Sequence, residues 1–177
     1  MQLLTTLFPL LLTSTLVFSA PIAKRDTATV LGDLSMIMRN VVYLSRELAS
    51  FVATPSTGIA TFSNHFSQLD KNIDTTTADI NTVGSFNATD SEAVANSASG
   101  FANDAVNLLV ALMNNETAIA ADGQKSLVLG YLNTANTATD SLFTALIDAA
   151  DESSFDTLSV AQEELASAFQ NAISDYS

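Results

Sequence analysis

The chain has 177 residues, 47% of them hydrophobic and only 14% charged, a balance that excludes a disordered polymer. Six basic residues face 19 acidic ones, for a formal charge of −13, which excludes the basic surface that nucleic acids and anionic membranes require. There is no cysteine, no tryptophan and one histidine, so disulfides, thiolate catalysis and cysteine-based zinc sites are ruled out.

The chain opens on an apolar run, Leu3 to Val17, followed by the small residues Ser19 and Ala20. Residues 1–19 are expected to be a secretory signal peptide, cut after Ser19. A stable membrane span is not expected, because the run is short and holds Pro9, Thr5, Thr6, Thr13 and Ser14. Residues 20–25 then form a short propeptide ending in Lys24-Arg25, a dibasic pair that looks like a Kex-type processing site. Cleavage there leaves residues 26–177, with 4 basic and 19 acidic side chains. Such a mature chain has no disulfide and rests on its core alone. Asn87-Ala88-Thr89 and Asn115-Glu116-Thr117 are N-glycosylation sequons. Ser174-Asp175-Tyr176-Ser177 lacks the hydrophobic tail of a lipid-anchor signal, so release from the cell is expected.

The mature chain is written in helical periodicity. The first stripe is Val30, Leu34, Ile37, Val41, Leu44, Leu48 and Phe51, in alternating steps of four and three. Thr54-Pro55-Ser56-Thr57-Gly58 is expected to break it. The second stripe is Ile59, Phe62, Phe66, Leu69, Ile73, Ile80 and Val83, with Thr76 and Thr77 on its missing beat and Gly84 as the stop. Thr89-x-x-Glu92 reads as a capping box ahead of a third stripe, Val94, Ala98, Phe101, Ala105, Leu108, Leu109 and Leu112, ending near Asn114–Asn115. Glu116–Lys125 is ambiguous, with Gly123 marking a break. The fourth stripe is Val128, Tyr131, Leu132, Ala135, Leu142, Leu146 and Ile147, with Thr139 as its polar member. After an acidic link, Ser153 or Ser154 is expected to cap a fifth helix with Phe155, Leu158, Ala161, Leu165, Phe169, Ile173 and Tyr176 on its stripe. No segment alternates with period two. The expected fold is therefore all-α: an antiparallel bundle of about five amphipathic helices.

Small or hydroxylated residues interrupt the stripes at Thr77, Ala98, Ala105, Ala135, Thr139 and Ala161. Facing helices can close such gaps or be propped apart around a cavity. Dense interiors are the rule, so the residues by themselves favour closing. A continuous apolar cavity would suit an acyl chain, each buried CH2 being worth about 0.8 kcal/mol. Arg39, Arg46 and Lys71 lie off the stripes, so a bound head group would depend on Thr76, Thr77 or Thr139.

Catalytic equipment is scarce. His65 sits at the edge of the second stripe without the partners a metal or catalytic site needs. Asp148, Asp151, Glu152 and Asp156 lack the glycine and ligand alternation of a calcium loop and suit helix capping instead. No G-x-S-x-G, Walker loop or H-E-x-x-H occurs. No metal, cofactor or enzymatic activity is expected.

The pattern as a whole resembles a known family. A signal peptide and dibasic junction precede about 150 cysteine-free residues in five amphipathic helices. The first reads Asp33-Leu34-x-x-Ile37-x-x-x-Val41-x-x-Leu44, and the last ends Phe169-x-x-Ala172-Ile173-x-x-Tyr176. In length, periodicity and these terminal patterns the chain resembles the fungal hydrophobic surface-binding protein A family, which includes antigenic cell-wall mannoproteins. That resemblance implies a secreted helical protein that adsorbs to hydrophobic surfaces and helps recruit secreted esterases, or binds fatty acids inside its bundle. It implies an extracellular location. Because this sequence shows neither the Ser/Thr-rich tail nor the anchor of wall-bound members, release with at most loose cell-wall association is expected. The apolar candidates for ligand contact are Leu34, Ile37, Val41, Phe62, Phe66, Leu69, Phe101, Leu108, Leu112, Leu132, Leu142, Leu165 and Phe169. The alternative is a structural or antigenic surface mannoprotein with a filled core.

Overall fold

The computed structural model describes residues 26–177, apart from the side chains of 55–57. The expected leader, propeptide and dibasic pair (Lys24, Arg25) lie outside the described residues. All five long helices are present: α1 (Thr27–Ala53), α2 (Pro55–Val83), α3 (Ala88–Asn114), α5 (Lys125–Ala149) and α6 (Phe155–Asp175). The ambiguous stretch holds one more, the short α4 (Glu116–Ala121), and a 3-10 turn (Glu152–Ser154) leads into α6. At 1.5 Å per residue the longest helices span roughly 40 Å.

α1 buries the seven residues of its expected stripe, each at 3% exposure or less. Burying each is worth roughly 1.5–3 kcal/mol relative to leaving it in water. Asp26 caps this helix, its carboxylate accepting from the Thr29 amide at 3.0 Å and the Thr29 hydroxyl at 3.1 Å. Those bonds hold the Asp26 carboxyl below its ordinary value.

The break between α1 and α2 is tighter than the sequence suggests. Thr54 is the sole residue between them, and Pro55 opens α2 in the first turn, where its missing N–H is not needed. Gly58 is helical rather than part of a loop. A Cβ there would lie 2.7 Å from the Phe51 Cα, so glycine is what lets the two helices meet. At the other end of α2, Gly84 adopts φ +88, the left-handed region that glycine enters freely.

The start of α3 also differs from expectation. Asn87, not Thr89, is the cap: its side-chain oxygen accepts from the Asp90 amide at 3.0 Å. Asn87 competes well for a cap because its amide also donates to Asp90 Oδ2 at 2.8 Å. Phe155 is likewise displaced from its expected role. It is 37% exposed, because the 3-10 turn buries Ser154 instead. Asp151 caps that turn through the Ser153 amide and hydroxyl, and those bonds lower its carboxyl below the ordinary value. Ile59, Val83, Tyr131, Ile147 and Ile173 are only partly buried against the core.

The five long helices close into a ring. α1 packs on α2 and α3, α2 on α5, α5 on α6, and α6 on α3. Hydrogen bonds fix the directions. Thr27 at the start of α1 bonds Asp90 at the start of α3 (3.0 Å). The Phe86 amide reaches the Ala149 carbonyl at the end of α5 (2.8 Å), and buried Ser91 accepts from the Asp151 amide (2.8 Å). The starts of α1, α3 and α6 therefore share one end with the finishes of α2 and α5. Each long helix reverses the one before it in the chain. An odd ring cannot alternate throughout; here α3 runs parallel to both its neighbours, and α2 runs parallel to α5.

The opposite end is closed by α4, with Ile119 buried, and by the C-terminus. Tyr176 is 1% exposed and donates its hydroxyl to the Leu112 carbonyl at 2.8 Å. That carbonyl is one of the last in α3 and has no continuing helix to use it fully. Burial, Glu116 and Asp175 raise the Tyr176 hydroxyl well above its ordinary value, so it stays a donor.

Candidate functional site

At mid-bundle, all five long helices turn side chains toward a common apolar slit. α1 contributes Val41, and α2 contributes Phe66 and Leu69. α3 supplies Phe101, Ala105, Leu108, Leu109 and Leu112, α5 supplies Leu132, Ala135 and Thr139, and α6 supplies Phe169. The slit has a volume of about 20 Å³. Pockets that enclose small ligands run to roughly 300–1,000 Å³, so the helices close most of the gap that their small residues leave.

The chemistry of the slit is nearly uniform. Thr139 is its one polar residue, and its hydroxyl is turned back on its own helix, donating to the Ala135 carbonyl at 2.8 Å and the Asn136 carbonyl at 3.1 Å. An exposed alkyl chain would meet methyl, methylene and ring surfaces with no unpaired donor. Ala105 and Ala135 are the low points of the wall, where a larger side chain would fill the slit.

Of the expected contact residues, Val41, Phe66, Leu69, Phe101, Leu108, Leu112, Leu132 and Phe169 meet at this slit. Leu34, Ile37, Phe62, Leu142 and Leu165 are buried elsewhere in the core. Phe62 sits between Phe51, stacked at 4.8 Å, and Phe66, edge-on at 5.2 Å. Among the head-group candidates, Thr139 alone borders the slit. Thr76 and Thr77 donate instead to the carbonyls of Asn72 (2.7 Å) and Ile73 (2.9 Å) one turn back. A helical threonine satisfies its hydroxyl in this way without any partner from outside. Ala105, Leu109 and Ala135 are wall residues not among the candidates. Their signal was their presence on the stripes, two of them as its small members.

The wall of the ring differs from seam to seam. Outside the slit, between α2 and α5, Phe66, Ser67, Asp70, Tyr131, Thr134 and Ala135 border a depression of about 150 Å³. The rings of Phe66 and Tyr131 stack across this seam, centroids 4.8 Å apart and 9° from parallel. Burial, and the nearby charge of Asp74, raise the Asp70 carboxyl above its ordinary value. Between α5 and α6, Gln162 donates to Asp140 at 2.9 Å above a gap of only about 10 Å³. Grooves of about 370 and 360 Å³ run along α3 and α6, bordered by Val160, Glu164 and Asn103 in one and Glu92, Asn96 and Ser153 in the other.

The remaining sequence candidates are placed as follows. His65 stacks on Tyr43 at the α1/α2 boundary, centroids 5.6 Å apart. Asn87 is exposed at the start of α3, while Asn115 is half-buried and donates to the Ala111 carbonyl at 2.7 Å. No cluster of three or more histidine, aspartate or glutamate side chains is placed to hold a metal among the described residues. No described helix is long and apolar enough to cross a membrane.

A ring of amphipathic helices around an apolar slit defines a five-membered helical bundle with a nearly closed centre, and the sequence places it further. The chain belongs to the hydrophobic surface binding protein A family, whose profile matches residues 27–148. No curated protein sequence matches it. Among solved structures it is similar to AFMP4P, crystallised in complex with palmitic acid, at 32% identity, covering 86% of this chain and all of that one, with a TM-score of 0.82. Two domains of the Penicillium marneffei MP1 protein share the fold. Ligand binding domain 1, complexed with arachidonic acids, is 14% identical, with 86% and 99% of the two chains covered and a TM-score of 0.77. Ligand binding domain 2, also with arachidonic acids, is 10% identical, with 82% and 93% covered and a TM-score of 0.70.

Proposed function

We propose that this protein is a secreted, non-enzymatic binder of long-chain fatty acids or related lipids, taken up inside the bundle at the mid-bundle slit. The observation that carries this reading is the slit itself. All five long helices reach it, and its one polar side chain is already hydrogen-bonded. The 32% identical protein with palmitic acid supports the same reading. An alkyl tail of about fourteen methylenes gains on the order of 11 kcal/mol from leaving water. Part of that gain is spent separating helices that are packed to a slit of about 20 Å³. Val41, Phe66, Leu69, Phe101, Leu108, Leu112, Leu132 and Phe169 are the proposed tail contacts, with Thr139 the nearest hydroxyl.

The same apolar faces, laid open, would adsorb to a hydrophobic surface and there bring secreted esterases to a polymer. In this reading the leader and Lys24-Arg25 are removed on export, N-glycans sit on Asn87 and Asn115, and any cell-wall association is loose. Organic extraction of the purified protein followed by mass spectrometry tests the binding reading, together with displacement of a fluorescent fatty acid. Recovered acyl chains and saturable displacement are expected; neither occurring overturns it. The second reading is a structural surface mannoprotein, favoured by the small volume of the slit. It predicts activity that depends on the glycans, so surface adsorption that survives N87Q together with N115Q removes it.

A further inference from the structure

The ring has five seams through which an acyl chain could reach the slit. At α1/α3, Met38 packs over Gly100, where a Cβ would stand 3.5 Å from its sulfur. The other four are not equivalent. The grooves along α3 and α6 share no lining residue with the slit. The α5/α6 seam touches it at Thr139, but the gap there is about 10 Å³ and the Gln162–Asp140 bond crosses it. The α1/α2 seam is crossed by two ring stacks, Phe51 on Phe62 near the turn and Tyr43 on His65 further along. At the α2/α5 seam, Phe66 and Ala135 border both the inner slit and the outer depression of about 150 Å³. Phe66 stands between the two spaces, with Tyr131 stacked on it from the outer side.

We propose that the α2/α5 seam is the entrance to the bundle, with the Phe66–Tyr131 pair as its gate, and that a single-chain amphiphile enters tail first. This rests on the lipid-binding reading above. A stacked pair is suited to gating. Stacking adds only modestly to the area the pair buries, so one ring can swing out and leave the other free to turn. Phe66 is 5% exposed and anchored edge-on against Phe62, whereas Tyr131 is only partly buried. Tyr131 is therefore the half that moves first, releasing the outer face of Phe66. The head group would come to rest at the rim, beside the Ser67 and Thr134 hydroxyls and turned away from the Asp70 carboxylate, which repels an ionised head group. One ring pair makes a narrow mouth, which admits one alkyl tail rather than two.

The test is stopped-flow uptake and dilution-driven release of an intrinsically fluorescent fatty acid, cis-parinaric acid, by the purified protein. Tyr131→Ala is expected to speed both uptake and release by about three- to tenfold, the contribution of a ring pair to a barrier, with an equilibrium Kd within about twofold. Thr134→Trp places a large ring over the mouth from an exposed position and is expected to slow both steps by a similar factor. Val160→Ala, on the α3/α6 side, leaves both rates unchanged. Unchanged rates in Tyr131→Ala and Thr134→Trp, with equilibrium binding intact, overturn the entrance but not the lipid-binding reading. Absence of equilibrium binding by the unaltered protein overturns both.

Discussion

The two sides of α5 are closed by different chemistry. Toward α2, the contact is between rings: Phe66 and Tyr131 stack at 4.8 Å, and a depression of about 150 Å³ with a polar rim lies immediately outside. Toward α6, the surface carries a hydrogen bond between Gln162 and Asp140, above a gap of about 10 Å³ packed by Phe143 and Leu165. The exposed hydrogen bond contributes little net energy, since water offers equivalent partners. What closes that side is the filling beneath it. The α2 side has the stronger surface contact but space on both faces of it. A bundle can thus be firmly packed and still have one seam where space lies on both faces of a single ring, Phe66.

The comparison breaks most readily at Phe66. Phe66→Ala removes a buried ring that meets both Phe62 and Tyr131, and is expected to cost about 3–4 kcal/mol in equilibrium urea unfolding. A cost below about 1 kcal/mol would mean the α2 seam is not a packed contact at all. Ala135→Leu sharpens the comparison from the other side. Ala135 is 4% exposed and borders both spaces, so three added carbons overfill the slit. A loss of about 2 kcal/mol is expected, with fatty-acid uptake reduced in a titration. Unimpaired uptake would place the ligand elsewhere.

Gln162→Ala is the matched change on the α6 side. It is expected to shift stability by less than about 0.5 kcal/mol and to leave fatty-acid release unchanged. Faster release would move the weak seam to α5/α6. The smallest effect is expected at Asp70. Its folded-state pKa is raised, so the folded chain holds the proton more tightly than the unfolded chain. The charged carboxylate therefore costs stability above the folded pKa, and that cost disappears as pH falls below the unfolded value. Asp70→Asn should raise Tm slightly at about pH 7 and leave it unchanged near pH 2.5, as read by circular dichroism.

Much of this architecture was legible from the spacing of apolar residues. A helix turns through 100° per residue wherever it lies, so the inward face of α1 follows from Val30, Leu34, Ile37 and their successors alone. All seven α3 stripe residues are also buried. Boundaries were less legible. Asn87 and Thr89 both present side-chain oxygens suited to a cap, and the choice fell to Asn87, whose amide also reaches Asp90. Gly58 resembled a loop residue. Its reason is the Phe51 backbone 2.7 Å from where a Cβ would stand, a contact between helices that no local pattern encodes.

Sequence by itself determined the helices, their buried faces and the apolar, acidic character of the chain, because these depend on residue type and a fixed local period. Tertiary structure decided the order of the helices in the ring and which buried residues border the slit. It also decided that Thr76 and Thr77 turn away from it while Ala135 joins its inner and outer faces. Those outcomes depend on how far each helix is rotated and displaced against two others. A stripe of apolar residues specifies a direction to bury, but not the neighbour it will meet there.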